Sequence, residues 1–230
     1  MRRSKVRTPR GKPLIIVGAM APEVVKLVDA INLAGTDRLD IIGFLDDDPA
    51  KHGTGFMGYR VLGATTELKD AYKDYWVINN VAGDMPTRQK VSRKLESLGV
   101  TRFPTLVHPG VDLRYVEVGG GTIIQEGCIM GPSVKIGQHC LISFRAVIAH
   151  ECSIGDCVFL APGAIVNGRI EVKRGALVGA GSVIIRDYTT VGEWSVVGAG
   201  SVVTDDVPAC STVFGAPARV IARRPPPEGI

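Results

Sequence analysis

A spacing of six governs the second half of this chain. Val118, Ile124, Met130, Ile136, Ile142, Ile148, Ile154, Leu160, Val166, Val172, Val178 and Ile184 follow one another at that interval without a gap. After one extra residue, placed by the pattern at Thr189 or Thr190, the series resumes at Val191, Val197 and Val203. A helix repeats its buried stripe about every 3.6 residues and a strand at every second residue, so neither explains the interval. Each six-residue piece is instead a short strand ending in a corner, and successive pieces stack into a solenoid whose core exists only between neighbours. The second place of the repeat is often Gly (Gly119, Gly131, Gly137, Gly155, Gly179, Gly192, Gly198), which reads as the turn-permissive position. The fifth is usually small (Thr122, Cys128, Cys140, Ala146, Cys152, Ala164, Ala176, Ser182, Ser195, Ser201). One inward aliphatic and one inward small residue per strand describe a narrow prism.

The charge balance excludes one broad class of function. The formal net charge is +4, from 27 basic and 23 acidic residues. Six of the cations (Arg2, Arg3, Lys5, Arg7, Arg10, Lys12) lie in residues 1–12, which hold no acid; without them the body has 21 against 23. The basicity is a tail, and the body offers no footprint for nucleic acid. No apolar run approaches a membrane span. The five cysteines have no paired spacing, and Cys128, Cys140 and Cys152 take the small inward place of the repeat as buried hydrophobes. Disulfides are not expected, and a cytoplasmic location is.

Residues 13–107 follow another rule. Leu14–Val17 is a short apolar strand ending at Gly18, Pro22–Ala34 has helical spacing, and Asp40–Leu45 is a second strand running into Asp46-Asp47-Asp48-Pro49. A short strand at 59–62, a short helix at 67–72, a third buried strand at 76–80 and a helix over 85–98 complete it. Strands alternating with helices imply a small parallel α/β sheet. His108-Pro109-Gly110 marks the boundary with the ladder, which occupies 108–222, and residues 223–230 read as a loose tail.

Three motifs join these parts: Phe44-Leu45-Asp46-Asp47 with a following Pro, His150-Glu151-Cys152 in the ladder, and the closing Gly215-Ala216-Pro217-Ala218-Arg219. Over residues 13–222 the chain resembles the hexapeptide-repeat sugar O- and N-acetyltransferases, typified by sialic acid O-acetyltransferase and bacterial UDP-amino-sugar N-acetyltransferases. The resemblance implies an α/β Rossmann-like N-terminal domain that binds a nucleotide sugar, followed by an all-β left-handed parallel β-helix. It also implies a homotrimer, acetyl-CoA as co-substrate and a sugar acceptor used in surface glycan assembly. His150 falls where that family carries its catalytic base, with Glu151 beside it. Gly168, Ala180, Gly198 and Ala199 fall along the track of the coenzyme arm. Gly18, Ala19, Met20, Asp46 and Asp47 fall at the acceptor site. Two positions depart: Gly18-Ala19-Met20-Ala21-Pro22 stands for the usual Gly-x-Gly-Gly-His turn, and Phe159 stands where several members place a second His near the thioester.

The chemistry fits these residue types. Acyl transfer from a thioester needs the acceptor deprotonated as it attacks, and a group titrating near neutrality does this best. A carboxylate on the other ring nitrogen fixes the tautomer and steadies the imidazolium. The remaining histidines read as structural or peripheral: His139 as a surface residue, His108 as an entry to the ladder, His52 as a loop residue at the edge of a nucleotide pocket. His139, Cys140, His150, Cys152 and Cys157 lie close in sequence but at differently directed places of the repeat, so no metal is expected. An NAD site would need a Gly-x-Gly-x-x-Gly loop, which is missing. O-acetylation of a free sugar such as sialic acid, and a non-catalytic scaffold or sensor, are the alternatives.

Overall fold

A computed structural model of the chain describes residues 11–35 and 38–228. The basic segment falls outside the described residues up to Arg10, and so do the last two residues of the tail.

The N-terminal part is a five-stranded sheet in the order β3-β4-β2-β1-β5. Its elements are β1 (Lys12–Val17), α1 (Glu23–Ala34), β2 (Leu39–Leu45), β3 (Gly55–Phe56), β4 (Tyr59–Gly63), β5 (Trp76–Asn79) and α2 (Met85–Ser97). β1, β2, β4 and β5 run parallel, and β3 adds antiparallel to β4. The apolar runs explain the order. Leu14–Ile16 is fully buried because successive side chains enter cores on both faces of the sheet. Leu14 and Ile16 meet Val24, Leu27 and Val28 of α1, while Ile15 and Val17 meet Leu95 of α2. Asp84 caps α2 through the Thr87 amide. In place of the short helix expected at 67–72, a 3-10 turn spans Thr65–Lys69.

From Leu106 onward the chain winds as a prism with three parallel faces. Face A holds Val116–Val118, Val134–Ile136, Ser153–Ile154, Glu171–Val172 and Thr190–Val191. Face B holds Leu106–Val107, Ile123–Ile124, Leu141–Ile142, Phe159–Leu160, Leu177–Val178 and Val196–Val197. It is closed by the antiparallel pair Ser211–Gly215 and Ala218–Arg223. Face C holds Ile129–Met130, Val147–Ile148, Ile165–Val166, Val183–Ile184 and Val202–Val203. The aliphatic ladder points inward and forms one continuous buried column with the small residues. Each buried Val, Leu or Ile contributes roughly 1.5–3 kcal/mol, so a coil is stable only with its neighbours in place.

Four details differ from the sequence reading. The first coil strand, Leu106–Val107, already pairs with Ile123–Ile124, so the ladder begins two residues before His108. The left-handed backbone sits two places after the repeat's Gly, at residues such as Ser133, Glu151 and Arg169. The second-place glycines serve close approach instead: a Cβ at Gly131 would stand 2.6 Å from the His150 amide nitrogen. The extra residue lies in the Arg186–Asp187 pair, since Ile185 keeps the coil register and the Tyr188 amide donates to Arg169 above it. Thr189 is excluded because it fills a buried inward place, its amide donating to the Arg186 carbonyl and its carbonyl accepting from the Glu171 amide. Lastly, Arg224 is anchored rather than loose, its amide donating to the Cys210 carbonyl and its guanidinium to Thr212.

The two parts share a core. Leu106 and Ile123 of the first coils pack with α1, and Arg88 of α2 is buried completely at the seam. Its guanidinium donates to the carbonyls of Val81 (2.7 Å), His139 (2.6 Å) and Cys140 (3.5 Å).

Candidate active site

Each corner of the prism repeats a residue in the left-handed region, and each edge therefore stacks one such residue per coil. Along the edge from face C to face A these are Tyr115, Ser133, Glu151, Arg169 and Tyr188. His150 stands beside this column, its side chain 46% exposed. Its Nδ1 lies 3.9 Å from Oε1 of Glu151. The ring is laid over Gly168 of the next coil, where a Cβ would come within 2.7 Å of Nε2. The corner thus turns Nδ1 toward the carboxylate, and only glycine leaves room for the ring. Glu151 is held from the other side: Arg169 Nε donates to Oε2 at 2.7 Å, and Arg169 Nη1 donates to Oδ2 of Asp187 at 3.0 Å.

The edge from face B to face C has the opposite character. Its two upper corners, Gln125-Glu126-Gly127 and Ser143-Phe144-Arg145, carry large side chains, but the lower three are Ala161-Pro162-Gly163, Gly179-Ala180-Gly181 and Gly198-Ala199-Gly200, with Ala180 and Ala199 exposed. These three form a strip of nearly bare backbone. Gly168 shares the edge of His150, whereas Ala180, Gly198 and Ala199 share this second edge, across face C from it. Phe159 lies on the outer side of face B, half-buried between Leu141 and Leu177.

At the carboxyl ends of the α/β strands, Gly18 turns with φ +96 and Met20 is half-exposed. Ala19 donates its amide to Asp46 at 3.0 Å, and Asn80 ties the turn down through the carbonyls of Gly18 and Ala21. Burial raises the Asp46 carboxyl, but Lys51 and the amides of Asp48 and Ala19 outweigh it and hold the pKa below its ordinary value. Asp47 points to the opposite side, onto Thr65 and Lys94 of α2. Burial opposes its ionisation and Lys94 and Thr65 again prevail. His52 contacts the Asp46 carbonyl at 2.7 Å. The turns after β1 and β5 flank the point where the strand order reverses, the usual ligand crevice of such sheets.

One expectation is overturned. His139 is not a surface residue: it is 4% exposed, with its ring edge-on to Phe103 at 4.8 Å. The α/β part, docked through Arg88, covers it. Burial, reinforced by the Arg88 charge, pushes its pKa down to about 4. Burial also raises Cys140 to about 12 and Cys157 to about 11, which keeps both thiols protonated and unreactive. Among the described residues no three His, Cys, Asp or Glu side chains gather as a metal site would require, and no helix is long and apolar enough to cross a membrane.

Comparison with known proteins decides the family. The chain is 35% identical over 187 residues to GDP-perosamine N-acetyltransferase of Escherichia coli O157:H7, covering 79% of this chain and 83% of that one. The chain belongs to the hexapeptide-repeat sugar acetyltransferases. Residues 123–224, all within the coils, match the family model described as the GMPPB C-terminal domain. Among solved structures, PerB from Caulobacter crescentus, in complex with CoA and GDP-perosamine, superimposes with a TM-score of 0.81 at 26% identity. That match covers 93% of this chain and 99% of that one. WeeI from Acinetobacter baumannii AYE gives 0.79 at 30% identity, over 91% and 100%. The solenoid is accordingly the left-handed β-helix of this family, and the protein is an acetyltransferase. Sequence reasoning missed Arg88, Asn80, Arg169 and Asp187 as contributors to these sites.

Proposed function

We propose that the protein transfers the acetyl group of acetyl-CoA to the amine of a nucleotide-linked amino sugar destined for surface glycans, with His150 as general base. The observation that carries the assignment is the corner at His150: an exposed imidazole with Glu151 on the Nδ1 side and only Gly168 beneath Nε2. With Nδ1–H directed at the carboxylate, Nε2 is the basic nitrogen. The acceptor nitrogen attacks the thioester carbonyl, its proton passes to Nε2, and the tetrahedral intermediate collapses with loss of the coenzyme thiolate, which takes up the proton. Glu151 steadies the imidazolium between these events.

The Rossmann-like reading of residues 13–107 rests on the strand order and on the crevice at Gly18, Met20 and Asp46, which we assign to the nucleotide sugar. Asp47 supports that wall from behind. The likeness to the two GDP-perosamine enzymes supports a nucleotide amino sugar over a free sugar.

The same geometry supports the homotrimer that the family resemblance implies. The outer side of face C is apolar (Ile129, Val147, Ile165, Val183, Val202), with Ile129 62% exposed, whereas face A presents Glu117, Lys135, Ser153, Glu171 and Thr190. An apolar face of this kind favours burial against another chain. His150 and the bare edge at Ala180 and Ala199 lie on opposite sides of that face, so a site using both is completed between chains. Phe159, on the outer side of face B, adjoins that bare edge within its own chain, two residues before Ala161.

The test is thiol release from acetyl-CoA with GDP-, UDP- and dTDP-linked amino sugars. His150→Ala should lower kcat/KM by ~10²-fold or more, the usual scale for a lost general base. A variant retaining most of the activity would remove His150 from the mechanism.

A further inference from the structure

Arg169 has no counterpart in the two-residue picture of His150 and Glu151, yet it makes the shortest contact at that corner. It reaches up one coil to Oε2 of Glu151 at 2.7 Å and down to Asp187 at 3.0 Å, with its guanidinium carbon 5.9 Å from the Tyr188 ring centre. The lower contact depends on the break in the ladder. The extra residue at Arg186–Asp187 carries Asp187 out of the stack, where Arg169 can meet it, and puts Tyr188 in the register place below. The groups facing Glu151 are thus His150 on its own corner, Arg169 and Asp187 from below, and the protonated Cys152 thiol behind it. Above it stand the uncharged Pro132 and Ser133, with Tyr115 one coil further.

We propose that Arg169 is a positioning residue for the acyl transfer: it fixes one oxygen of Glu151 so that the other faces His150, and its charge offsets that of Glu151. This inference rests on His150 being the base. A carboxylate with both oxygens free rotates among several orientations, and one clamped by a guanidinium does not. The guanidinium thus holds Oε1 in one orientation toward the ring and leaves no second orientation for it to fall into. Arg169 does this from the far side of Glu151 while leaving Oε1 to steady the imidazolium once it forms.

The experiment is the pH profile of kcat/KM for wild type, R169Q, R169K and D187N, each checked for its native melting transition and assembly. In R169Q, kcat should fall about tenfold with KM for acetyl-CoA unchanged, and the acidic limb should move up by about half a pH unit. R169K keeps the charge and should restore the limb to within about 0.2 unit of wild type, with kcat recovering in part. D187N removes the lower anchor of Arg169 and should lower kcat by a smaller factor than R169Q, with KM for acetyl-CoA unchanged. A folded R169Q with the wild-type limb and kcat overturns the proposal. Should R169Q fail to fold, D187N decides alone: a folded D187N with the wild-type kcat overturns it. If His150→Ala remains active, the general-base reading has failed. If His150→Ala is inactive while the R169Q profile matches wild type, only the role of Arg169 has failed.

Discussion

Two edges of the prism carry a histidine, and the two residues have opposite fates. His139 and His150 are eleven residues apart, each at a corner where the backbone enters or adjoins the left-handed region. His139 is covered by the docked α/β part, loses its water, leaves Nδ1 without a partner and is pushed to a pKa of about 4. His150 stands open, with a carboxylate on one side and a glycine below. The same residue type at similar corners becomes packing in one place and chemistry in the other. The difference is made by what covers the corner.

The largest effect expected from this contrast is on stability in acid. His139 has an ordinary value of 6.5 and a folded value of about 4. Because the folded value is the lower, the stability gained by keeping the ring neutral is complete above about pH 6.5 and is lost as pH falls toward 4. The difference of about 2.5 units corresponds to roughly 3 kcal/mol. His139→Asn suits the left-handed backbone and does not titrate. Denaturant unfolding across pH 4–7 should show a steep loss in wild type and a shallow one in the variant. Equal slopes would mean that His139 is not the group responsible.

The open corner is tested next. Gly168→Ala places a methyl 2.7 Å from Nε2 of His150 and forces the ring aside. Gly168 is at a negative φ, so the backbone accepts alanine without left-handed strain. A misplaced base costs rate rather than fold: kcat/KM should fall about thirtyfold, ~2 kcal/mol, with the melting temperature little changed. Steady-state rates beside a melting curve check it, and a fully active variant would show that the ring's seat on Gly168 is irrelevant.

Much of this was legible in the sequence, and the rest had definite reasons for being hidden. The six-residue interval fixed three faces, an inward column and the packing of Cys128, Cys140 and Cys152, because each follows from local repetition. The burial of His139 does not repeat. It depends on Arg88 and Phe103, tens of residues away on another unit, and no periodicity reports that contact. Arg169 left a usable signal. Three hexads make a coil, so residues eighteen apart stack, and opposite charges at that interval pair: Glu151 with Arg169, and Glu117 with Lys135 at 3.5 Å. The break shifted the interval to nineteen, as Arg174–Glu193 and Arg186–Asp205 show. Asp46 and Asp47 were separable in the same way, since successive residues leaving a strand point to opposite sides.

The smallest effect belongs to the bare edge across face C, and it sharpens the contrast most. That edge has no titrating side chain at Ala161–Gly163, Gly179–Gly181 or Gly198–Gly200. If the coenzyme arm runs along it, the edge contributes backbone contacts made equally before and during the reaction. Removing such contacts raises KM and leaves kcat in place. Ala180→Leu puts a branched side chain on that exposed strip without touching the inward column. KM for acetyl-CoA should rise about fivefold, ~1 kcal/mol, while kcat holds within about twofold. Gly168→Ala should give the reverse division, a lower kcat at nearly constant KM. The two variants together separate an edge that binds from an edge that reacts. A fall in kcat for Ala180→Leu at unchanged KM would place the coenzyme elsewhere and remove the reason for assembling the site from two chains.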